Sequence, residues 1–210
     1  MVMTLIAFVG IDGTGKSTQA KLLATWLEQH KIPYLLTQEP TTDFYGKLLR
    51  KRLKDANSDP LGDACLFALD RSHHYYDIIL PAMMEQKIVL TDRYIDSSIA
   101  YQSIQCANFF PNQKLAIEWI RQLNQVPEAN LIFLFDTDPN ISVKRRTQET
   151  AIQDLEKFEH TEFLMKVRQV FLNQATSDKY IILNATLSIE ELQTQIQNHI
   201  VKHIPHTNFK

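Results

Sequence analysis

Cysteine is scarce in this chain: there are 2 among 210 residues, Cys65 and Cys106, far apart and outside any CxxC spacing. Their scarcity excludes a disulfide scaffold, a zinc site of paired cysteines and a thioredoxin-like centre, and both thiols read as buried side chains in a reducing compartment. Long apolar runs are missing too. None approaches the roughly 18–20 residues needed to span a bilayer. The apolar start MVMTLIAFVG carries no basic leader and no small-residue cleavage site, and reads as a strand. A cytoplasmic protein without a membrane partner is expected. Charge of one sign is not in excess either. A formal net charge of -2 gives no overall attraction for nucleic acid or anionic lipid, so anion binding has to come from locally gathered basic groups. Low-complexity tracts, internal repeats and interdomain linkers are also lacking. With 44% hydrophobic and 22% charged residues, one globular domain over 1–210 is expected.

What is present is a regular alternation. Five short, continuous apolar runs, at 4–9, 33–36, 87–91, 130–135 and 179–183, read as strands buried on both faces. Amphipathic patterns at 16–29, 44–54, 62–86, 96–106, 112–125, 139–147, 159–176 and 188–203 read as helices between and after them. The alternation predicts an α/β three-layer fold, a parallel sheet with helices on each side. The polar stretch 145–157, combining KRRTQET with QDLEK, predicts a small mobile lid between two helices.

The first strand runs into Gly10-Ile11-Asp12-Gly13-Thr14-Gly15-Lys16-Ser17, followed by Thr18. This fits GxxxxGK[ST] at the point where a helix opens, which predicts a phosphate-binding loop for ATP. Glycines let the backbone wrap a pyrophosphate with its N–H groups turned inward, and the helix N-terminus adds positive potential. Lys16 reaches the β- and γ-phosphates, and Ser17 offers a hydroxyl to Mg²⁺. A plain glycine turn would leave Lys16 opposing the helix dipole with no anion to meet it.

The third strand delivers Asp92-Arg93-Tyr94-Ile95-Asp96-Ser97-Ser98-Ile99-Ala100-Tyr101-Gln102 to its carboxyl end, the edge where open α/β sheets bind ligands. Taken alone, Asp92 and Arg93 read as a local ion pair at a helix start. Together, DRYIDSSIAYQ and GIDGTGKST resemble the signature pair of thymidylate kinases. The resemblance extends to Glu39-Pro40, Arg50, the run LFALDRSHH at 66–74 and FLMKVRQVF at 163–171. It implies a P-loop fold with a five-stranded parallel sheet, usually homodimeric, moving the γ-phosphoryl group of ATP to dTMP with Mg²⁺.

The resemblance also implies roles. Arg93 and Arg50 hold the dTMP phosphate, as guanidinium forks suit phosphate oxygens. Asp92 orients Arg93 and lies near the metal with Ser17. Phe67 and Arg71, on one helix face, stack on thymine and bond its O4. Ser98 and Gln102 read the rest of the base edge, with Ser97, Glu39 and Pro40 nearby. Tyr101 packs against the deoxyribose, and Asp12 meets the 3′-hydroxyl. Two departures stand out. Bacterial members of that family usually place a catalytic arginine in the P-loop, where this chain has Gly13, or in the lid, where 147–155 holds none and Leu155 takes the expected place. Arg145, Arg146, Lys157 and Arg168 are the candidates for that cation, with Arg146 and Arg168 preferred. Thr41-Thr42 stands for a common glycine pair, and Ser103 for a glycine.

Asn184 to Thr186 is expected beside adenine, and a dimer surface near 62–86 and 96–125. The competing readings are a deoxynucleoside kinase, another monophosphate kinase, or a nucleotide-binding regulator with weak turnover. Two arginines aimed at an acceptor phosphate favour the monophosphate over a nucleoside, whose hydroxyl would need a general base.

Overall fold

A computed structural model describes residues 4–55, 57–149 and 161–203, the last three of the middle stretch by backbone alone. Five strands, β1 (Thr4–Val9), β2 (Tyr34–Gln38), β3 (Ile88–Asp92), β4 (Leu131–Asp136) and β5 (Tyr180–Asn184), form one sheet in the order β2-β3-β1-β4-β5. Every pairing is parallel, with Phe8 and Gln38 both opposite Asp92.

Four strands extend one or two residues further toward their carboxyl ends than their apolar runs. Thr37, Gln38, Asp92, Asp136 and Asn184 are polar yet paired in the ladder, because backbone groups there still need partners where the sheet opens to solvent.

The sheet is covered on both faces, which explains the continuous apolar runs. Along β1, Ile6 and Phe8 pack under α1 (Lys16–Gln29) and α9 (Ile189–His203), against Leu23, Leu27, Phe133 and Ile196. Leu5, Ala7 and Val9 pack on the opposite layer, with Ile99 of α5 (Ile95–Gln105), Ile120 of α6 (Gln113–Leu123) and Phe171 of α8 (Thr161–Gln174). Burying each large side chain contributes about 1.5–3 kcal/mol, so the centre of the sheet anchors the loops at its carboxyl edge.

The helix expected at 62–86 differs in two ways. It begins earlier, as α3 (Pro60–His74), because Asp59 accepts from the N–H groups of Leu61 and Gly62 and Pro60 suits the first helical position. It also widens into a π turn over Tyr75–Ile79, where the Leu80 N–H reaches the Tyr75 carbonyl, before α4 (Leu80–Met84). Pro81 lacks an N–H, and its ring would crowd the carbonyl of Asp77 in a regular helix; the wider turn makes room. α2 (Phe44–Leu53) lies between β2 and α3, and α7 (Pro139–Glu149) runs two residues past its expected end. Residues 150–157 of the expected lid, with Leu155 and Lys157, lie outside the described residues. Among the described residues no helix is long and apolar enough to cross a membrane.

Candidate active site

The loop after β1 wraps as the motif requires. Gly10, Gly13 and Gly15 all have positive φ, a conformation closed to most side chains. Lys16 is buried, its Nζ donating to the Ile11 carbonyl at 2.7 Å, and Thr14 Oγ1 donates to the same oxygen at 2.9 Å. Ser17 Oγ donates to Asp92 Oδ2, and Asp92 Oδ1 is buried without a hydrogen-bond partner among the described residues. Residues 12–18 line a cavity of about 520 Å³ with Asp92, Arg93, Arg145, Ala185, Leu187, Ser188, Ile189 and Leu192. Gly10 and Ile11, also expected at the ATP, are not among the described residues lining it: Ile11 is buried, and a Cβ on Gly10 would meet the Phe135 carbonyl at 2.5 Å. Of the three residues expected beside adenine, Ala185 lines this cavity, whereas Asn184 and Thr186 bond one another at 2.7 Å.

A second cavity, of about 290 Å³, lies across the loop. The sequence singled out Asp12, Glu39, Pro40, Arg50, Phe67, Arg71, Arg93, Ser97, Ser98, Tyr101 and Gln102, and the fold brings all of them to its wall, with Leu53 and Arg146 added. They come from α2, α3, α5 and three loops, so no local pattern groups them. Charge is concentrated here, four arginines against two carboxylates.

Asp12 and Arg93 belong to both cavities and form the wall between them. Arg93 has a φ of 72°, in the left-handed region that a branched or bulky residue seldom occupies, and its guanidinium bonds Asp12 Oδ1 and lies 5.2 Å from the centre of the Tyr101 ring. Burial alone would raise the Asp12 carboxyl. The charges of Arg93, Lys16 and Arg146 override it and hold the group down at about 2. Burial lowers the Lys16 ammonium, Arg93 lowers it further against the pull of Asp12 and Asp92, and it settles at about 8. Burial likewise raises the Tyr101 phenol, which stays neutral and donates to Asp12 at 3.4 Å.

Arg71 is 2% exposed and held from several sides. Its Nε donates to Glu39 at 2.8 Å, Nη1 to Ser98 Oγ at 2.9 Å and to Asn124 Oδ1, and Nη2 to the Tyr94 carbonyl at 3.2 Å, with Glu39 again at 2.6 Å. Four N–H groups therefore bond protein acceptors, and the second Glu39 contact is an ion pair to the oxygen that already accepts from Nε. Glu39 also meets His74 Nδ1 at 3.0 Å. Asn124 escaped sequence reasoning because an asparagine at a helix end reads as a cap; only the tertiary fold shows it bonding Arg71.

The two preferred cations part company. Arg146 lines the second cavity with Nη1 3.5 Å from Asp12, and a Cβ on Gly13 would meet the Ser142 carbonyl of α7 at 2.6 Å and Arg146 Cγ at 3.1 Å. The place beside Gly13 is thus filled by α7, which sends Arg145 into one cavity and Arg146 into the other. Arg168 instead clasps Asp136 at 2.6 and 2.9 Å and is not among the described side chains lining either cavity.

A family model described as thymidylate kinase matches residues 8–196. The probable thymidylate kinase of Pyrococcus abyssi is 37% identical over 206 residues, covering 94% of this chain and 95% of its own length. That of Pyrobaculum aerophilum is 36% identical over 197 residues, covering 92% and 94%. The thymidylate kinase of Cutibacterium acnes is 33% identical over 205 residues, covering 93% and 95%. Matches of this identity over nearly the whole length leave one conclusion: the chain belongs to the thymidylate kinase family.

Proposed function

We propose that this protein transfers the γ-phosphoryl group of ATP to dTMP, giving ADP and dTDP, with ATP in the larger cavity and dTMP in the smaller. The observation that carries the reading is the shared wall: two cavities meet at Asp12 and Arg93, one built on a phosphate loop and the other holding four arginines against two carboxylates. An excess of guanidinium suits a phosphate monoester, which is largely dianionic at neutral pH because its second pKa is about 6.

The attacking phosphate oxygen carries its own negative charge, so no general base is needed; the task is to bring two polyanions into line. Arg50 and Arg93 hold the acceptor phosphate. Lys16 and the loop amides hold the donor phosphates. Arg146 supplies the cation that relatives place in the P-loop or lid, and Arg168 anchors α8 to the end of β4. Phe67 stacks on the base, Arg71 with Ser98 and Gln102 presents the edge that reads it, Ser97 lines the same wall, and Tyr101 packs against the sugar. Asp12 orients Arg93 and receives the 3′-hydroxyl. Arg145 and the turn after β5 flank adenine.

Ser17 and Asp92 fit a magnesium ion, because both offer the oxygen donors that Mg²⁺ takes and one carboxylate oxygen has no hydrogen-bond partner among the described residues. Bound there, the ion would neutralise charge between the β- and γ-phosphates. A soluble cytoplasmic homodimer, with dimer contacts on the helices around 62–86 and 96–125, and no nucleic-acid partner completes the reading. The test is product identity: incubation with Mg-ATP and dTMP should yield ADP and dTDP in equal amounts. Release of inorganic phosphate in place of dTDP would defeat it.

A further inference from the structure

Residues 39–43 connect β2 to α2, and the first two, Glu39 and Pro40, line the acceptor cavity. Two helices hold this segment. From α2, Arg50 donates to the carbonyls of Pro40 and Thr41, and Gly46 lies so close that a Cβ there would collide with the Thr41 carbonyl. From α3, Asp70 accepts the Thr41 backbone N–H on Oδ2 at 2.9 Å and the Thr41 hydroxyl on Oδ1 at 2.6 Å.

Asp70 is 2% exposed and makes no ion pair among the described residues, so the donors it has are those of Thr41. A carboxylate removed from water needs such donors, and the pairing is correspondingly strong. A glycine at 41 would keep the N–H and lose the hydroxyl, leaving Oδ1 without its partner.

Two residues before Thr41 is Glu39, which receives Arg71 and His74 of the same helix. The segment thus meets α3 at two points, and the Thr41 contact keeps Glu39 in register with Arg71. Neither Thr41 nor Asp70 is among the side chains lining the acceptor cavity.

We infer that Thr41 is a positioning residue for the acceptor nucleotide: its hydroxyl, bonded to Asp70, fixes residues 39–41 against α3 before the acceptor arrives. The inference rests on the dTMP-kinase reading above. Ordering a segment in advance removes a loss of freedom from the binding step, so its effect belongs to acceptor affinity and not to the transfer step or the donor.

The test compares Thr41→Val, nearly the same shape without the hydroxyl, with Thr41→Ser, which keeps it. Thr41→Val should raise KM for dTMP roughly ten-fold, the loss of one hydrogen bond to a charged group. Its kcat and KM for ATP should stay within about two-fold, and Thr41→Ser should return KM for dTMP to near the wild-type value. Melting curves give a readout independent of turnover: dTMP alone should raise the Tm of wild type and Thr41→Ser more than that of Thr41→Val at equal concentration. Equal KM values for Val and wild type, equal impairment of Val and Ser, or a parallel change in kcat and KM for ATP would each overturn the inference. A wild-type protein that neither turns over dTMP nor is stabilised by it fails earlier, at the proposed function itself.

Discussion

Lys16 sits where burial and Arg93 lower its ammonium from the ordinary 10.5 to about 8. Between those values the unfolded chain holds more protons, so this lysine's contribution to stability rises with pH across that window. ATP acts in the opposite sense, because phosphates favour the charged form. Binding at about pH 9 should therefore take up protons, visible as a heat that varies with the buffer, and KM for ATP should climb above about pH 8. A KM for ATP that is flat from about pH 7 to 9.5 would contradict this. Asp12, held at about 2, stays ionised throughout and contributes no such dependence. The arginines separate as cleanly. Arg146→Ala should lower kcat by roughly 10²–10³, the usual loss when a charge aimed at a transferring group is removed. Arg168→Ala should leave kcat within about two-fold, since its guanidinium is committed to Asp136. Both are read from steady-state kinetics, and reversed results would move the catalytic cation to α8.

At the scale of elements, α7 fits closely against the phosphate loop. Gly13 has a φ of 76°, and a Cβ there would meet the Ser142 carbonyl at 2.6 Å. Gly13→Ala should push α7 outward and take Arg146 with it, so kcat should fall at least about ten-fold while circular dichroism still reports a folded protein. The start of α3 offers a contrasting case: Asp59→Ala removes the cap from Leu61 and Gly62 and should cost about 1 kcal/mol, lowering Tm by a few degrees with little change in KM for dTMP. Most elements were legible in the sequence because buried strands and amphipathic helices have different periods. Their ends were less so. Thr37 and Gln38 look like loop residues and are strand, since pairing at a sheet edge depends on the neighbour and not on hydropathy. The π turn was invisible for a related reason: Pro81 marks a disturbance, and only the packed helix decides whether it breaks or widens.

For the whole molecule, the sheet order places the phosphate loop after β1 beside the carboxyl end of β3, which is why Asp12 and Arg93 meet although 81 residues separate them. The phosphate loop could be read from eight adjacent residues. The acceptor wall could not, because Arg50, Phe67, Arg71 and Tyr101 are individually ordinary; likeness to a family grouped them before the fold did. Asn124 and the Thr41–Asp70 contact had no such guide, since each is a long-range bond between common polar side chains. Two cavities with a common wall require both nucleotides to be bound together, so initial velocities should give intersecting double-reciprocal lines. The most direct test ranks kcat/KM with Mg-ATP for dTMP, dUMP, dCMP, AMP and thymidine. The account predicts dTMP first and thymidine inert, whereas phosphorylation of thymidine ahead of dTMP, or ADP formation indifferent to the acceptor, would contradict it.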